Sequence, residues 1–430
     1  MKKKLVIIFL VLLALSWYMA VSDTIQKPGK VRACLAKAEE LENQEIHVDA
    51  ITQYEQALVY EPDNTEISMK MAEAYLSSGQ TKKFVAVCKE VAERNPKDET
   101  ALNRLMTYYE ENAYEDRAVR YLAEYLEKNP SSEAAQSWMT RLKGSHDKLY
   151  CNYDEMGPMA NGTMVVKNED QYGLVDEMGS EITDTVYEFA QPYSGDGYAL
   201  VSKDGKYFYI DKDGQKRMAL DPGYTDLHML ESDRTVVAQN GAYAYLDETM
   251  QPVTEFSWEA LSLISEKTGA GKQNGKWALL NRNGKERTEY IYDDVIMDAY
   301  GFCFRQGVAF VKVNGAYHLV DRKGKQVGEQ TFENAKPFSE SGYAAVCQNG
   351  KWGYADARGE LVIACQYEDA ESFENGFAAV CTDKSWGYID ETGNQVIKPQ
   401  YEAVTAMSDQ GTAAVLQGGK WTLIQLDIFK

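Results

Sequence analysis

The sequence has few of the residues on which proton-transfer, redox and metal chemistry depend. Its 430 residues include only four histidines and seven cysteines. No Cys-x-x-Cys pair and no metal-binding histidine spacing occurs, which argues against a zinc site. The odd cysteine count argues against a disulfide framework, so most thiols are expected to be small buried apolar groups. We therefore predict that the protein holds no metal and no cofactor.

Motifs of the common catalytic sites are also missing. Neither a Gly-x-Ser-x-Gly turn nor a His-Glu-x-x-His helix is present. The glycine-rich run at residues 269–275 is similar to a phosphate loop only superficially, because its place in a repeat predicts a strand and a hairpin turn. We expect a non-enzymatic protein without catalytic residues. A hydrolase built on a repeat scaffold is an alternative.

Positive charge is scarce. The chain has 66 acidic and 45 basic residues, which gives a formal charge of −21, and the only basic run lies within the first four residues. Because like charges repel, the folded part is not expected to bind nucleic acid or anionic lipid headgroups. We interpret this acidity mainly as a source of solubility.

The N-terminus has the charge-then-apolar order of an export signal. Lys2, Lys3 and Lys4 precede an apolar run at residues 5–21. As a helix this run is just long enough to cross about 30 Å of hydrocarbon, which favours retention as a membrane anchor over cleavage after Ser22. We predict a signal anchor or signal peptide at residues 1–22, a linker at 23–30, and an extracytoplasmic protein that is anchored or secreted.

A helical repeat is predicted for residues 31–148. Pro62, Pro96 and Pro130 lie 34 residues apart, and each follows a stretch with helical periodicity. Such helices bury their apolar faces only against each other and against the neighbouring pair. Residues 132–149 are predicted to form a helix that caps the last pair.

This pattern resembles the tetratricopeptide repeat, on the small, aromatic and small residues Ala50, Tyr54 and Ala57 ahead of Pro62. The resemblance implies a peptide-binding groove lined by the first helix of each pair. The candidate groove residues are Met69, Lys70, Glu73, Asn103, Arg104 and Thr107. Among them only Lys70 and Arg104 are able to hold a peptide carboxylate. The alternative is a helical spacer that contacts partners by shape alone.

An aromatic residue recurs at intervals of 34 to 40 residues through the rest of the chain, residues 149–430. The eight positions are Tyr172, Tyr207, Tyr243, Trp277, Tyr317, Trp352, Trp386 and Trp421. The copy at residues 342–359 predicts a strand, an Asn-Gly turn, a second strand and an Asp-x-x-Gly turn. A third strand and a Tyr-acid pair follow. Each unit is therefore predicted to be an antiparallel meander, with a short fourth strand at its Tyr-acid segment as an option.

These units resemble the WG repeat, which is named for the pair seen here at Trp352-Gly353 and Trp386-Gly387. The resemblance implies an architecture more than an activity. We interpret the aromatic series as packing between units, with exposed members as an alternative platform for sugars or peptide side chains. The Asp-x-x-Gly segments are interpreted as turns in which the carboxylate binds its own backbone, rather than as calcium sites.

The order of the segments predicts a closed ring. A Tyr-type segment occurs eight times, from Tyr153 to Tyr401, yet the chain ends soon after the eighth hairpin. A ring would let the N-terminal strand complete the last unit beside Trp421 and would remove two exposed sheet edges. We predict an eight-bladed propeller-like ring after an α-helical array. The alternative is an open β-solenoid or superhelix.

Two repeat systems without a catalytic set favour an interaction protein. We expect an exported scaffold that binds a protein or peptide partner through its helical and β surfaces. The alternative is a protein that binds cell-wall glycan or another polysaccharide through exposed aromatic side chains.

Overall fold

The computed structural model describes residues 27–149 and 151–429. The chain forms two compact units, which follow each other in sequence at Leu142 and Lys143. The predicted signal or anchor at residues 1–22 lies outside the described residues. Within the described ranges, no helix is both long enough and apolar enough to cross a bilayer.

The first unit consists of helices joined by short turns, as predicted. A helix α1 covers residues 27–43 of the described chain, and six further helices follow. They are α2 (His47–Tyr60), α3 (Thr65–Ser77), α4 (Thr81–Arg94), α5 (Thr100–Glu111), α6 (Glu115–Lys128) and α7 (Glu133–Lys143). The first six form three helix-turn-helix pairs, and α7 follows the third pair.

The three spaced prolines explain where the second helix of each pair ends. The residue before each proline is the C-cap, and its backbone is nearly the same in all three repeats, with φ of −131° at Glu61, −131° at Asn95 and −132° at Asn129. A proline disfavours helical geometry in the residue that precedes it. The 34-residue spacing of the prolines therefore sets the spacing of the C-terminal ends of these helices.

One apolar cluster runs through the helical unit. It contains Ala50, Tyr54 and Ala57 of the first repeat, all of which are buried. Phe84 stands where tetratricopeptide repeats usually have a small residue. Its ring is fully buried and packs edge-on against Tyr108, with 4.9 Å between ring centroids. The larger side chain is thus part of the core.

The predicted capping helix is shorter than expected. It ends at Lys143, and residues 146–149 form a strand instead. The prediction of a helix up to residue 149 is wrong because this segment pairs with the last hairpin of the chain. Only tertiary contact decides between helix and strand for so short a segment.

The second unit contains eight antiparallel sheets among the described residues, preceded by strand β1 (His146–Leu149). Sheet 1 is β2 (Glu155–Ala160), β3 (Thr163–Asn168), β4 (Gln171–Asp176) and β5 (Glu181–Tyr187); sheet 2 is β6 (Phe189–Ala190), β7 (Ala199–Lys203), β8 (Lys206–Ile210) and β9 (Lys216–Ala219); sheet 3 is β10 (Arg234–Gln239) and β11 (Ala242–Asp247); sheet 4 is β12 (Ala260–Leu261), β13 (Thr268–Gln273) and β14 (Lys276–Asn281); sheet 5 is β15 (Asp294–Val295), β16 (Val308–Val313), β17 (Ala316–Asp321) and β18 (Gln326–Phe332); sheet 6 is β19 (Asn334–Ala335), β20 (Tyr343–Gln348), β21 (Lys351–Asp356) and β22 (Leu361–Tyr367); sheet 7 is β23 (Asp369–Ala370), β24 (Phe377–Thr382), β25 (Ser385–Asp390) and β26 (Gln395–Tyr401); sheet 8 is β27 (Ala403–Val404), β28 (Thr412–Gln417) and β29 (Lys420–Leu426), with β1 added.

The short fourth strand exists, and it belongs to the next sheet. In sheet 7, for example, β23 pairs with the first long strand β24, although it follows the third strand of sheet 6 directly. The sequence repeat and the structural sheet are therefore out of phase by one short strand. Each repeat consequently contributes to two adjacent sheets.

The ring is closed by its N-terminal strand, as predicted. Strand β1 pairs with β29, with Leu149 opposite Leu423. The Cys151 thiol lies 3.5 Å from the main-chain oxygen of Trp421, and Tyr153 and Trp421 share one apolar cluster. Since β1 becomes a strand of sheet 8, the last hairpin has no open edge on that side.

Apolar packing confirms the number of sheets in the ring. Among its described residues the β unit has eight apolar clusters, and each lies between two successive sheets. The last of them joins sheet 8 to sheet 1 through Leu423, Met156 and Val175. Eight sheets with eight interfaces make a closed β-propeller, which excludes the open solenoid.

Candidate binding surfaces

The helical unit contains a cavity of about 660 Å³ along its α3 and α5 helices. Its lining comes from three turns of α3, from the start of α5 and from the turns that precede both helices. The lining residues are Asn64, Thr65, Glu66, Met69, Lys70, Glu73, Asp98, Thr100 and Arg104. We call this cavity the helical groove. Four of the six predicted groove residues, Met69, Lys70, Glu73 and Arg104, lie in it.

Arg104 is held by carboxylates from two helices. Its guanidinium donates hydrogen bonds of 2.7 and 3.1 Å to the two carboxylate oxygens of Glu73, and Glu111 lies 3.9 Å away. The guanidinium also lies over the ring of Phe84, 5.1 Å from its centroid. The hydrogen bond to Glu73 raises the pKa of Arg104. This cation is therefore fixed in position and charge-paired.

Lys70 is paired in the same way. Its ammonium lies 3.3 Å from Glu39 on α1 and 3.3 Å from Glu66 one turn earlier on α3. Burial lowers the pKa of Lys70, but the hydrogen bonds to both glutamates outweigh that effect and raise it overall. Both cations predicted to bind a peptide carboxylate thus already bind carboxylates of the protein.

The other two predicted residues lie outside the cavity lining. The indole N–H of Trp138 on α7 donates a hydrogen bond of 2.7 Å to the side-chain oxygen of Asn103. The Thr107 hydroxyl donates to the main-chain oxygen of Asn103 at 2.9 Å. Asn103 is therefore engaged with α7 instead of facing the groove.

Sequence reasoning missed the turns at the groove's edge. Asn64 is the N-cap of α3, and its side-chain oxygen accepts a hydrogen bond of 3.1 Å from the N–H of Ile67. The side chain of Asp98 accepts one of 3.1 Å from the N–H of Thr100 at the start of α5. Capping patterns in the sequence mark such positions, and this signal was available.

The repeat aromatics of the propeller are mainly packing residues. Each lies on the second strand of the hairpin in its repeat; Trp277 and Tyr317 are 7% and 6% exposed, whereas Tyr207 is 37% exposed. Lysines lie over four of the rings at 5.0 to 6.0 Å from the centroid. These pairs are Lys167 on Tyr172, Lys272 on Trp277, Lys312 on Tyr317 and Lys336 on Trp352. The side chain with the most accessible ring is therefore Tyr207.

The glycine of the Trp-Gly pair is required by close backbone contact. A Cβ at Gly353 would lie 2.6 Å from the main-chain oxygen of Ile363 and 2.7 Å from the nitrogen of Cys365. The outer strand bulges toward the glycine here, where the pairing of β21 and β22 shifts register. Gly387 meets Ile397 in the same way. Only a residue without a side chain fits this approach.

Two of the copies that lack this glycine have an altered outer strand. Ala244 and Ala278 occupy its place in sheets 3 and 4. In both sheets the outer segment makes only isolated bridges to the second long strand instead of a continuous ladder. Sheets 2 and 5 have Phe208 and His318 in place of the glycine but keep a regular outer strand, so loss of the glycine alone does not remove that strand.

The acidic residues that recur in the repeats accept hydrogen bonds from backbone N–H groups of the propeller. The acid of the Tyr-acid pair accepts a hydrogen bond from the next hairpin turn, as Glu188 does from the N–H of Gly205 at 2.9 Å and Glu333 from that of Gly350 at 2.9 Å. In the Asp-x-x-Gly turns the carboxylate accepts from its own backbone, as Asp321 does from Lys323 at 2.8 Å. This confirms the interpretation of these segments as turns. Among the described residues, no three His, Cys, Asp or Glu side chains lie close enough together to hold a metal ion.

Buried tyrosines tie successive sheets together, and sequence reasoning missed them. The hydroxyl of Tyr209 donates a hydrogen bond of 2.6 Å to the main-chain oxygen of His228, and that of Tyr388 donates one of 2.8 Å to Thr405. Both rings are fully buried, and burial raises the pKa of both phenols. Each hydroxyl satisfies a buried carbonyl on the following sheet.

The longest interval in the aromatic series corresponds to a loop across the ring. Between Trp277 and Tyr317 the chain is longer than elsewhere, and the Tyr300 hydroxyl there lies 3.4 Å from the main-chain oxygen of Pro158 in sheet 1. Sheets 1 and 5 are opposite each other in a ring of eight. The loop therefore crosses the region of the ring axis.

Glu374 lies near the charged groups of the same region. Burial raises its pKa to about 7; Arg305 opposes this rise, and Glu340 and Asp298 add to it. These four groups lie in the loops that join the short first strand to the first long strand in sheets 5, 6 and 7. The axis region thus combines several acids with one arginine.

Two family models match the chain. The WG containing repeat matches residues 172–207, 277–317, 319–352, 352–385 and 386–421, and the tetratricopeptide repeat matches residues 46–107. The chain therefore carries both kinds of repeat. None of the curated proteins compared with it matches.

The solved structures to which the chain is similar share little sequence with it. Hsv2p of Kluyveromyces lactis is 14% identical, with 51% of this chain and 86% of that one covered and a TM-score of 0.36. A eukaryotic initiation factor is 12% identical, with 59% and 77% covered and a TM-score of 0.42. Dihydro-heme d1 dehydrogenase NirN is 12% identical, with 66% and 78% covered and a TM-score of 0.39.

Proposed function

We propose that this chain of tetratricopeptide and WG repeats is an exported, non-enzymatic scaffold that binds a protein partner through its helical groove. The groove is the observation that carries the proposal. It is an open cavity of about 660 Å³ on the first helices of successive pairs, and Met69 supplies an apolar floor. This volume lies within the usual range of ligand-binding cavities, about 300–1,000 Å³.

The placement of histidines and acids supports a non-enzymatic role. Both ring nitrogens of His146 have partners that hold β1 in place, the main-chain oxygen of Gly144 at 2.8 Å and the Tyr401 hydroxyl at 3.0 Å. His47 pairs with Glu42 at 3.0 Å. Many acids of the propeller are occupied in turns. These groups serve packing and turn formation.

Export is proposed from the N-terminal sequence. The lysines at residues 2–4 and the apolar run at 5–21 have the order of a signal anchor, which would hold the repeats outside the cytoplasm. Mass spectrometry of the mature N-terminus tests this point. Retention of residues 1–22 is the result expected for an anchor, and a start near Asp23 would instead indicate a cleaved signal.

A photo-crosslinking experiment tests the binding role. A photoreactive amino acid replaces Met69 in the groove, and a matched variant carries it at Val59, which is 77% exposed and lies outside the cavity lining. Irradiation of cells should give discrete adducts from position 69 that are absent from position 59. Equal adduct patterns, or none from position 69, would contradict the proposal.

Glycan binding is a second candidate, favoured by the exposure of Tyr207. An accessible aromatic ring is a typical platform for a sugar. Binding to purified cell-wall sacculi should fall in Tyr207→Ala and remain in Tyr317→Phe, because Tyr317 is buried. Equal binding by the two variants would exclude Tyr207 as the platform.

A further inference from the structure

We propose that the helical groove selects an internal, basic segment of a partner protein and rejects a free peptide C-terminus, with Glu73 setting this preference. The inference rests on the proposed function, because it takes the groove to be a protein-binding site. Its occupant is a stretch of chain that carries Lys or Arg beside an apolar side chain.

The first step is the pairing of the groove cations. Arg104 lies between Glu73 and Glu111, and Lys70 lies between Glu39 and Glu66. Each cation thus has two carboxylates of the protein within 4 Å. A peptide carboxylate has to displace at least one of them, and the bidentate bond from Arg104 to Glu73 is the strong kind of ion pair.

The second step is the charge balance at the cavity. Its lining contains three acids, Glu66, Glu73 and Asp98, against the two cations. Glu39 and Glu111 lie next to the lining and add two more negative charges. An entering carboxylate meets net repulsion, whereas an ammonium or guanidinium group is attracted and gains carboxylate partners.

The third step is the apolar part of the site. Met69 is 9% exposed and lies one turn before Glu73 on the same face of α3. An apolar side chain of the partner packs on this thioether while a neighbouring basic residue reaches Glu73. Methionine adapts its shape to different partners, so charge rather than shape is the main selector here.

The fourth step identifies Glu73 as the determinant. The guanidinium of Arg104 keeps a second contact, with the ring of Phe84, whose centroid is 5.1 Å away. Replacing Glu73 with Gln keeps the size of the side chain and removes its charge. Arg104 then has one fewer carboxylate partner, and the groove is expected to accept acidic peptides better.

The test is a selection of 12-residue peptides from a random synthetic library by the immobilised full-length chain. The library is used in two forms, one with a free C-terminal carboxylate and one with a C-terminal amide. Selected sequences should be rich in Lys and Arg. Their affinity should be the same within about twofold in the two forms and should fall about tenfold when Lys or Arg is changed to Glu.

Two variants that remove the same charge at different positions test whether Glu73 sets the preference. Glu73→Gln should weaken the selected basic peptides about tenfold, and Glu124→Gln, on the exposed surface of α6, should leave them unchanged. Circular dichroism checks that both variants are folded. The salt dependence of the wild-type chain is a separate readout, and binding of basic peptides should weaken from 50 to 500 mM salt by about tenfold.

Three results overturn the inference. They are selected peptides rich in Asp and Glu, binding that requires the free carboxylate, and equal affinities in Glu73→Gln and Glu124→Gln. If no peptide is selected while the crosslinks at position 69 persist, the basic-segment inference falls and the scaffold function stands. If no specific crosslinks form at position 69 either, both the basic-segment inference and the scaffold function are rejected.

Discussion

The helical unit and the propeller bury their apolar side chains in different ways. The helical unit has one continuous cluster that runs from repeat to repeat, whereas the propeller has eight separate clusters, one at each interface between sheets. Contacts in the helical unit join neighbours in sequence. The propeller additionally depends on β1 and β29, which lie at opposite ends of its sequence. A change that destabilises one repeat of an open array is therefore expected to affect mainly its neighbours. In a closed ring the same change is expected to affect the stability of all the sheets.

The largest effect is expected from one phenylalanine in each unit. Phe373 and Phe84 are both fully buried. Changing either to Ala should cost about 3–5 kcal/mol of unfolding free energy, because it leaves a cavity. Calorimetry should show two transitions, with Phe373→Ala lowering the one that belongs to the propeller and Phe84→Ala the other. A single shared transition would contradict the expectation that the two units unfold separately.

The same glycine substitution should have opposite signs in the two units. Gly353→Ala forces a Cβ to 2.6 Å from the oxygen of Ile363 and should destabilise the propeller by about 1–3 kcal/mol. A Cβ added at Gly29 in helix α1 would meet no atom within 4 Å among the described residues outside its own helix backbone and chain neighbours. Gly29→Ala should therefore stabilise the helical unit by up to about 1 kcal/mol. Chemical denaturation measures both, and equal signs would show that strand approach is not what requires the glycine.

The stability of the propeller is expected to depend on pH. The pKa of Glu374 rises from 4.5 to about 7 on folding, so the folded state binds this proton more tightly than the unfolded state. Stability then falls as pH rises from about 4.5 to about 7. Glu374→Gln should stabilise the propeller by about 1–2 kcal/mol at pH 8 and have little effect at pH 4. Denaturation curves at the two pH values test this, and an equal gain at both would contradict it.

The smallest effect concerns tyrosine hydroxyls. Tyr388→Phe removes a buried hydrogen bond to Thr405 and should cost about 1 kcal/mol. In the helical unit, Tyr75 donates instead to the Glu55 carboxylate at 3.0 Å, at a half-buried site that water reaches. Tyr75→Phe should cost about 0.5 kcal/mol or less. If Tyr75→Phe cost more unfolding free energy than Tyr388→Phe, buried tyrosine hydrogen bonds would not be a stabilising feature particular to the propeller.

The helical groove was predicted only in part. Met69, Lys70, Glu73 and Arg104 were predicted because the resemblance to the tetratricopeptide repeat implies a groove lined by the first helix of each pair. The partners of the cations were not found, because Glu39 and Glu73 come from the preceding repeat, 31 residues before Lys70 and Arg104. Asn103 was misplaced for a similar reason, since Trp138 on α7 engages it.

The sequence alone determined the two repeat systems, their periods and the eight-fold count of the ring, because each is written in residues that recur at fixed spacing. It also indicated closure, through one unit that begins with a strand and another that ends without one. Tertiary structure decided that residues 146–149 form a strand, that Gly353 faces a bulge and that the groove cations are neutralised. These outcomes depend on groups that are distant in sequence, whose approach no local pattern specifies.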